Sequence, residues 1–108
     1  MALDPETRRS RLGTPRGGLS VPAIKPLALH RVWELVQVTQ LPVIGVGGIF
    51  TAADALEFPL AGASAVGIGT GNFVDPEAAI NVITGLEDYL VRHGLQDIKE
   101  VQGAMVEE

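Results

Sequence analysis

The sequence predicts an α/β fold of parallel strands, the C-terminal part of a (β/α)8 barrel. Three observations carry that prediction. Apolar runs at 43–46 and 63–68 each end abruptly in small residues, the first at Gly47-Gly48 and the second at Gly67-Ile68-Gly69-Thr70-Gly71. A run that is apolar throughout reads as a parallel strand buried on both faces. A helical stretch separates the two runs, and strand–helix–strand alternation implies parallel strands joined by right-handed crossovers. Glycine-ended strands side by side match the phosphate grip made by the loops after a barrel's last two strands. With 108 residues the chain is far short of the roughly 250 of a closed barrel, so it reads as about two strands with their helices, an incomplete barrel.

Each element follows from local chemistry. Residues 1–20 read as a loop following an absent strand, because Asp4-Pro5, Thr14-Pro15 and Gly17-Gly18 break any period. The βα units then occupy 21–108. A helix starts between Pro22 and Pro26, since proline is tolerated only in a first turn. Leu29, Val32, Trp33 and Val36 lie at i, i+3, i+4 and i+7 on one stripe. Leu41-Pro42 ends that element before the strand at 43–46. Thr51 with Asp54 three residues on forms a capping-box pattern opening a helix at 52–61, and Gly62 closes it at C′. Pro59 lies within that helix, where it either kinks the helix or ends it early. Asp75-Pro76-Glu77 reads as N-cap, first-position proline and first-turn acid of a helix over 76–92, stopped by Gly94. A short helix at 95–101 precedes an acidic tail.

Composition excludes several classes. The chain is 46% hydrophobic and 19% charged, which is globular rather than disordered. A net charge of −5 without a Lys/Arg cluster argues against nucleic acid. There is no cysteine, so no disulfide, thiolate metal site or cysteine nucleophile arises within it. No apolar stretch approaches the roughly 18 residues of a membrane helix, and the polar start lacks a signal-peptide core. The default expectation is a cytoplasmic location without membrane contact.

The glycine steps carry the candidate chemistry. A strand ending in glycines and feeding a helix leaves backbone N–H groups uncovered beside a positive helix terminus, which suits a phosphate. Alone, Gly47-Gly48 reads equally as a tight turn. Paired with Gly69-Thr70 at the matching strand end, it reads as a phosphate site. Thr70 has a hydroxyl to donate to a phosphate oxygen or to a strand-end carbonyl. Lys25 is read either as an anion attractor or as a solvated first-turn lysine. His30 and His93 have no acid or nucleophile at a telling spacing, so no catalytic residue is assigned. Asp54, Asp75 and Glu77 are read as caps, and Trp33 as packing.

Several stretches together resemble the dihydroorotate dehydrogenase family. They are Gly17-Gly18-Leu19-Ser20, Pro22-Ala23-Ile24-Lys25-Pro26, Pro42-Val43-Ile44-Gly45-Val46-Gly47-Gly48-Ile49, Ala52-Ala53-Asp54-Ala55-Leu56, Ala61-Gly62-Ala63 and Gly69-Thr70-Gly71-Asn72-Phe73. The Ala-Ile-Lys-Pro helix start resembles the NAD-linked class 1B branch. The resemblance covers nearly the whole chain and is weakest after Tyr89. It implies a (β/α)8 flavoprotein that uses FMN to oxidise dihydroorotate to orotate in pyrimidine biosynthesis. It also implies a partner subunit carrying FAD and an iron–sulfur cluster. Carried over by position, the FMN contacts are Gly47, Gly48, Gly69 and Thr70, with Val21 where the family has glycine. The family's base and its ring- and orotate-holding residues lie upstream and have no counterpart here, so the isolated chain is expected to be inactive. Two other readings stay open at this point: a non-catalytic phosphate- or nucleotide-binding half-barrel, and an inert truncation. Strands with open edges and one bare face also predict self-association.

Overall fold

A computed structural model describes residues 1–107. The chain opens on an antiparallel hairpin, β1 (Leu3–Asp4) and β2 (Arg9–Ser10). This corrects the loop expected over 1–20 in its first half only, since residues 11–20 hold neither helix nor strand. Asp4 makes the turn: its carboxylate accepts the Glu6 N–H at 2.9 Å and its carbonyl accepts the Arg8 N–H. Strands of two residues are too short to leave an alternation in the sequence.

A 3-10 turn at Pro22–Ile24 leads into α1 (Lys25–Val38). Val32 is buried, and Leu29 and Val36 pack against the same core, so three of the four stripe residues face inward, while Trp33 is only partly buried and stacks on His30 at 6.0 Å. Next come β3 (Ile44–Val46) and α2 (Ala52–Leu60). The capping box is present: Thr51 Oγ1 accepts the Asp54 N–H at 3.2 Å, and Asp54 Oδ2 accepts the Thr51 N–H at 3.0 Å. Pro59 stands one residue before the end of α2, and Gly62, at φ +109°, takes the left-handed C′ position. Pro59 therefore lies at the helix end and not at a mid-helix kink.

After β4 (Ala65–Gly67) comes α3 (Gly71–Val74), a single turn that the sequence pattern does not announce. The following α4 (Ala78–Arg92) begins later than 76. Asp75 caps a turn, accepting the Glu77 N–H at 2.9 Å, before the regular helix starts. Residues 95–101 hold only a 3-10 turn at Ile98–Glu100, with its own capping box from Asp97. The segment after it is docked: the Gly103 and Met105 N–H groups donate to the carbonyls of Pro59 and Leu60, and Val101 is buried.

β3 and β4 pair in parallel, with Ile44 opposite Ala65, Gly45 opposite Val66 and Val46 opposite Gly67. Helices α1 and α2 pack against this ladder on one face, and α4 packs on α2. The core there comprises Val32, Ile49, Ala55, Phe58, Ala63 and Val82. Phe58 is wholly buried, and burying such a side chain contributes roughly 1.5–3 kcal/mol. A Cβ at Gly45 would overlap its ring, so the bare backbone there lets the helix approach. The opposite face is uncovered: Ile44 is 64% and Val46 56% exposed. The architecture is a partial barrel of two parallel strands. Among the described residues, no helix is long and apolar enough to cross a membrane, and no cluster of three His, Asp or Glu side chains is placed to hold a metal.

Candidate functional site

The five residues singled out in the sequence meet in one place. Val21, Gly47, Gly48, Gly69 and Thr70 all line a cleft of about 110 Å³ at the C-terminal ends of β3 and β4. Leu19, Ser20, Val46, Ile49, Phe50, Gly67 and Gly71 complete its wall. That volume is well below the roughly 300 Å³ at which pockets for drug-sized ligands begin, so the cleft accommodates one end of a ligand.

The walls are built by three segments. The first is the approach to α1. Val21 has φ −144° and ψ 159°, an extended backbone open to any residue. Its β-branched side chain is therefore unstrained where the family pattern has glycine. The second segment is the turn after β3. Gly47 and Gly48 have φ of +130° and +70°. A Cβ on Gly47 would lie 2.9 Å from the Ala28 side chain, and one on Gly48 would lie 2.8 Å from the Lys25 backbone nitrogen. Both glycines are required by conformation and by the close approach of α1. The third segment follows β4. Gly69 has no atom within 4 Å of where its Cβ would stand, whereas a Cβ on Gly71 would lie 2.9 Å from the Ile49 carbonyl oxygen. Gly71 lets the two loops touch, and Gly69 leaves the cleft open.

The chemistry of the cleft is that of an anion receptor. Among the described residues, nothing accepts the backbone N–H groups of Gly48, Gly69 or Thr70. The Thr70 side chain makes no capping hydrogen bond although it precedes α3. No carboxylate lines the cleft. Free N–H groups, a free hydroxyl and no fixed negative charge suit a phosphate. The N-terminus of α2 is a poorer contributor than expected. Asp54 already accepts the Phe50 and Thr51 N–H groups, at 3.1 and 3.0 Å.

Lys25 fits neither sequence reading. Its ammonium is turned from the cleft and bonds Asp54 Oδ1 at 2.6 Å and Glu57 Oε1 at 2.7 Å. The hydrogen bond to Asp54, then that to Glu57, raises its pKa above the ordinary 10.5. Partial burial pushes the Asp54 carboxyl upward, but Lys25 and the Phe50 and Thr51 N–H groups outweigh it and hold the pKa below 3.8. The Lys25–Asp54 pair spans 29 residues, and no local pattern signals a contact of that separation.

Comparison with known proteins agrees with the residue-level resemblance. The model of the dihydroorotate dehydrogenase family matches residues 1–90. The catalytic subunit of dihydroorotate dehydrogenase B (NAD+) from Porphyromonas gingivalis is 58% identical over 98% of this chain and 34% of its own length. The same subunit from Geotalea uraniireducens is 55% identical, over 98% of this chain and 35% of its own length. Among solved structures, DHODH from Eimeria tenella in complex with ferulenol superposes with a TM-score of 0.76 at 31% identity. That superposition covers 96% of this chain and 28% of the Eimeria one. The chain spans about a third of the length of the curated relatives it matches. With a family match over most of its length and neighbours of the same fold, the chain belongs to the dihydroorotate dehydrogenase family.

Proposed function

We propose that this chain supplies the phosphate-binding end of an FMN site in a dihydroorotate dehydrogenase of the NAD-linked class, which converts dihydroorotate to orotate in cytoplasmic pyrimidine biosynthesis. The observation that carries the proposal is the convergence of Gly47, Gly48, Gly69, Thr70 and Val21 on one acid-free cleft with uncommitted N–H donors. The FMN phosphate fits there. The open space over Gly69 admits an oxygen where any side chain would intrude. In this reading the N–H groups of Gly48, Gly69 and Thr70 bind the phosphate, the Thr70 hydroxyl donates to it, and Val21 walls the ribityl side. A flavin held there supplies the hydride acceptor, and the chain orients its tail. The barrel-facing side, with Ile44 and Val46 exposed, receives the remaining strands of the barrel or, in their absence, a second copy of this chain. The relatives are named as catalytic subunits of an NAD+-linked enzyme, which supports a partner subunit; the proposal gives that partner FAD and an iron–sulfur cluster as electron acceptor.

Titration with FMN and riboflavin tests the site, since the two differ only in the phosphate. FMN binding at least tenfold tighter than riboflavin is expected; equal affinities would remove the phosphate reading. With dihydroorotate and FMN added, the isolated chain is expected to reduce a dye no faster than free FMN.

A further inference from the structure

We propose that Lys25 and Asp54 are positioning residues for this cleft: their ion pair ties its α1-side wall to the Gly47–Phe50 wall, though neither side chain lines it. The inference rests on the phosphate reading above for its functional meaning and on geometry for its substance. The turn after β3 is held at both ends by the same two residues. At its start, Gly48 rests on Lys25: a Cβ there would lie 2.8 Å from the Lys25 nitrogen and 3.0 Å from its Cα. At its end, Asp54 Oδ2 accepts the N–H groups of Phe50 and Thr51, at 3.1 and 3.0 Å. The other carboxylate oxygen, Oδ1, accepts Lys25 Nζ at 2.6 Å. Backbone packing, two N–H bonds and one ion pair therefore close a ring around residues 48–51.

Lys25 is also tied to the opposite wall. It follows the 3-10 turn whose Ile24 N–H donates to the Val21 carbonyl at 3.1 Å, and Leu19, Ser20 and Val21 line the cleft. Through the Lys25–Asp54 bond, the spacing between that wall and Gly47-Gly48 is set by two side chains on different helices. Glu57 is a second acceptor for the ammonium, at 2.7 Å; no hydrogen bond joins its side chain to the turn, which sets it apart from Asp54. Acting on the turn, the pair aligns the Gly48 N–H, one of the donors left uncommitted. A phosphate bound by backbone donors depends on such alignment, because misplaced donors lose both length and angle.

Position and charge make opposite predictions here. Asp54→Asn removes a negative charge near a bound dianion, so a purely electrostatic account has FMN binding tighter. The positioning account has it weaker, because an Asn amide cannot hold Lys25 and both N–H groups as a carboxylate does. Two measurements on the full chain decide. The first needs no ligand: amide exchange at Phe50 and Thr51 is expected to speed up about tenfold in Lys25→Met and Asp54→Asn. Lys25→Arg should stay near wild type, and Val82 in the core should be unchanged throughout. Unaltered exchange at Phe50 and Thr51 would overturn the proposal. The second is FMN and riboflavin affinity. Lys25→Met and Asp54→Asn are each expected to weaken FMN about tenfold with riboflavin within twofold, while Lys25→Arg restores FMN binding. FMN binding unchanged or tightened by Asp54→Asn would overturn the functional part. Wild-type chain that does not distinguish FMN from riboflavin would sink the phosphate reading itself, with the exchange arm still reporting on the ring. Should Lys25→Met fail to fold, Asp54→Asn and Lys25→Arg carry both readings.

Discussion

The two glycine steps look alike in sequence and differ in why their glycines are there. At the first, Gly47 and Gly48 occupy left-handed backbone, and α1 packs where their side chains would be. At the second, Gly69 is neither left-handed nor crowded, and only the space above it is special. The first step is thus demanded by folding, and the anion-binding geometry proposed for it comes with the turn. The second is free of any folding requirement at Gly69. A glycine that stands where the backbone does not require one points to a ligand more strongly than one the backbone requires. Asp54 and Lys25 brace the first step. The second is joined to the first through the contact between Gly71 and the Ile49 carbonyl.

Substitutions sharpen this contrast, beginning with the largest effect. Gly48→Asp places a Cβ at φ +70° against the Lys25 backbone and a charge beside the phosphate. Strain and overpacking together should cost roughly 2–5 kcal/mol, with FMN binding lost. A thermal melt at matched protein concentration, which holds self-association fixed, reads the stability. Gly69→Val is the complementary probe. The chain should melt within about 0.5 kcal/mol of wild type, yet bind FMN at least tenfold more weakly. A large drop in stability there would break the distinction between the two steps.

Acid offers a third, smaller contrast. Asp54 has its folded pKa below 3.8, so its contribution to stability is complete above that value and fades as pH falls through the folded pKa. Lys25 has a folded pKa above 10.5, so its contribution is complete below that value and fades as pH rises through the folded pKa. Both side chains are about one-fifth exposed, and solvent screening limits the pair to about 1 kcal/mol. Wild type should therefore lose more stability between pH 7 and pH 3 than Asp54→Asn does. Equal losses would show that Asp54 adds nothing to the first step. The smallest effect belongs to Val21→Gly. With φ −144° there is no strain to relieve, and the added chain freedom should destabilise by at most about 0.5–1 kcal/mol. A clear gain in stability would mean that valine is strained after all.

Much of this was legible because it is local. The Thr51–Asp54 capping box, the C′ position of Gly62, the stop at Gly94 and the stripe of α1 each depend on residues within one or two turns. Neighbouring residues meet in any conformation that forms the element, so spacing is enough to read them. The parallel pairing of the two apolar runs was legible for a related reason, since a helix between two strands leaves few arrangements. Where local signals competed, reading failed: the Asp4 turn makes a hairpin in a segment full of loop residues, and Asp75 caps a turn ahead of α4 instead of the helix itself.

By itself, then, the sequence determined the order of α1, β3, α2, β4 and α4, the Thr51–Asp54 and Gly62 ends of α2, and the five residues to watch. Tertiary structure alone decided that those five share one cleft and that Gly48 is required whereas Gly69 is free. It also decided that Lys25 turns from the cleft to Asp54 and Glu57, and that Gly103 and Met105 dock on the end of α2. The physical reason is separation along the chain. A cap closes over three or four residues, but the Lys25 ammonium finds its partners 29 and 32 residues away, and such a meeting is set by the packing of α1 on β3 and of α2 on β4.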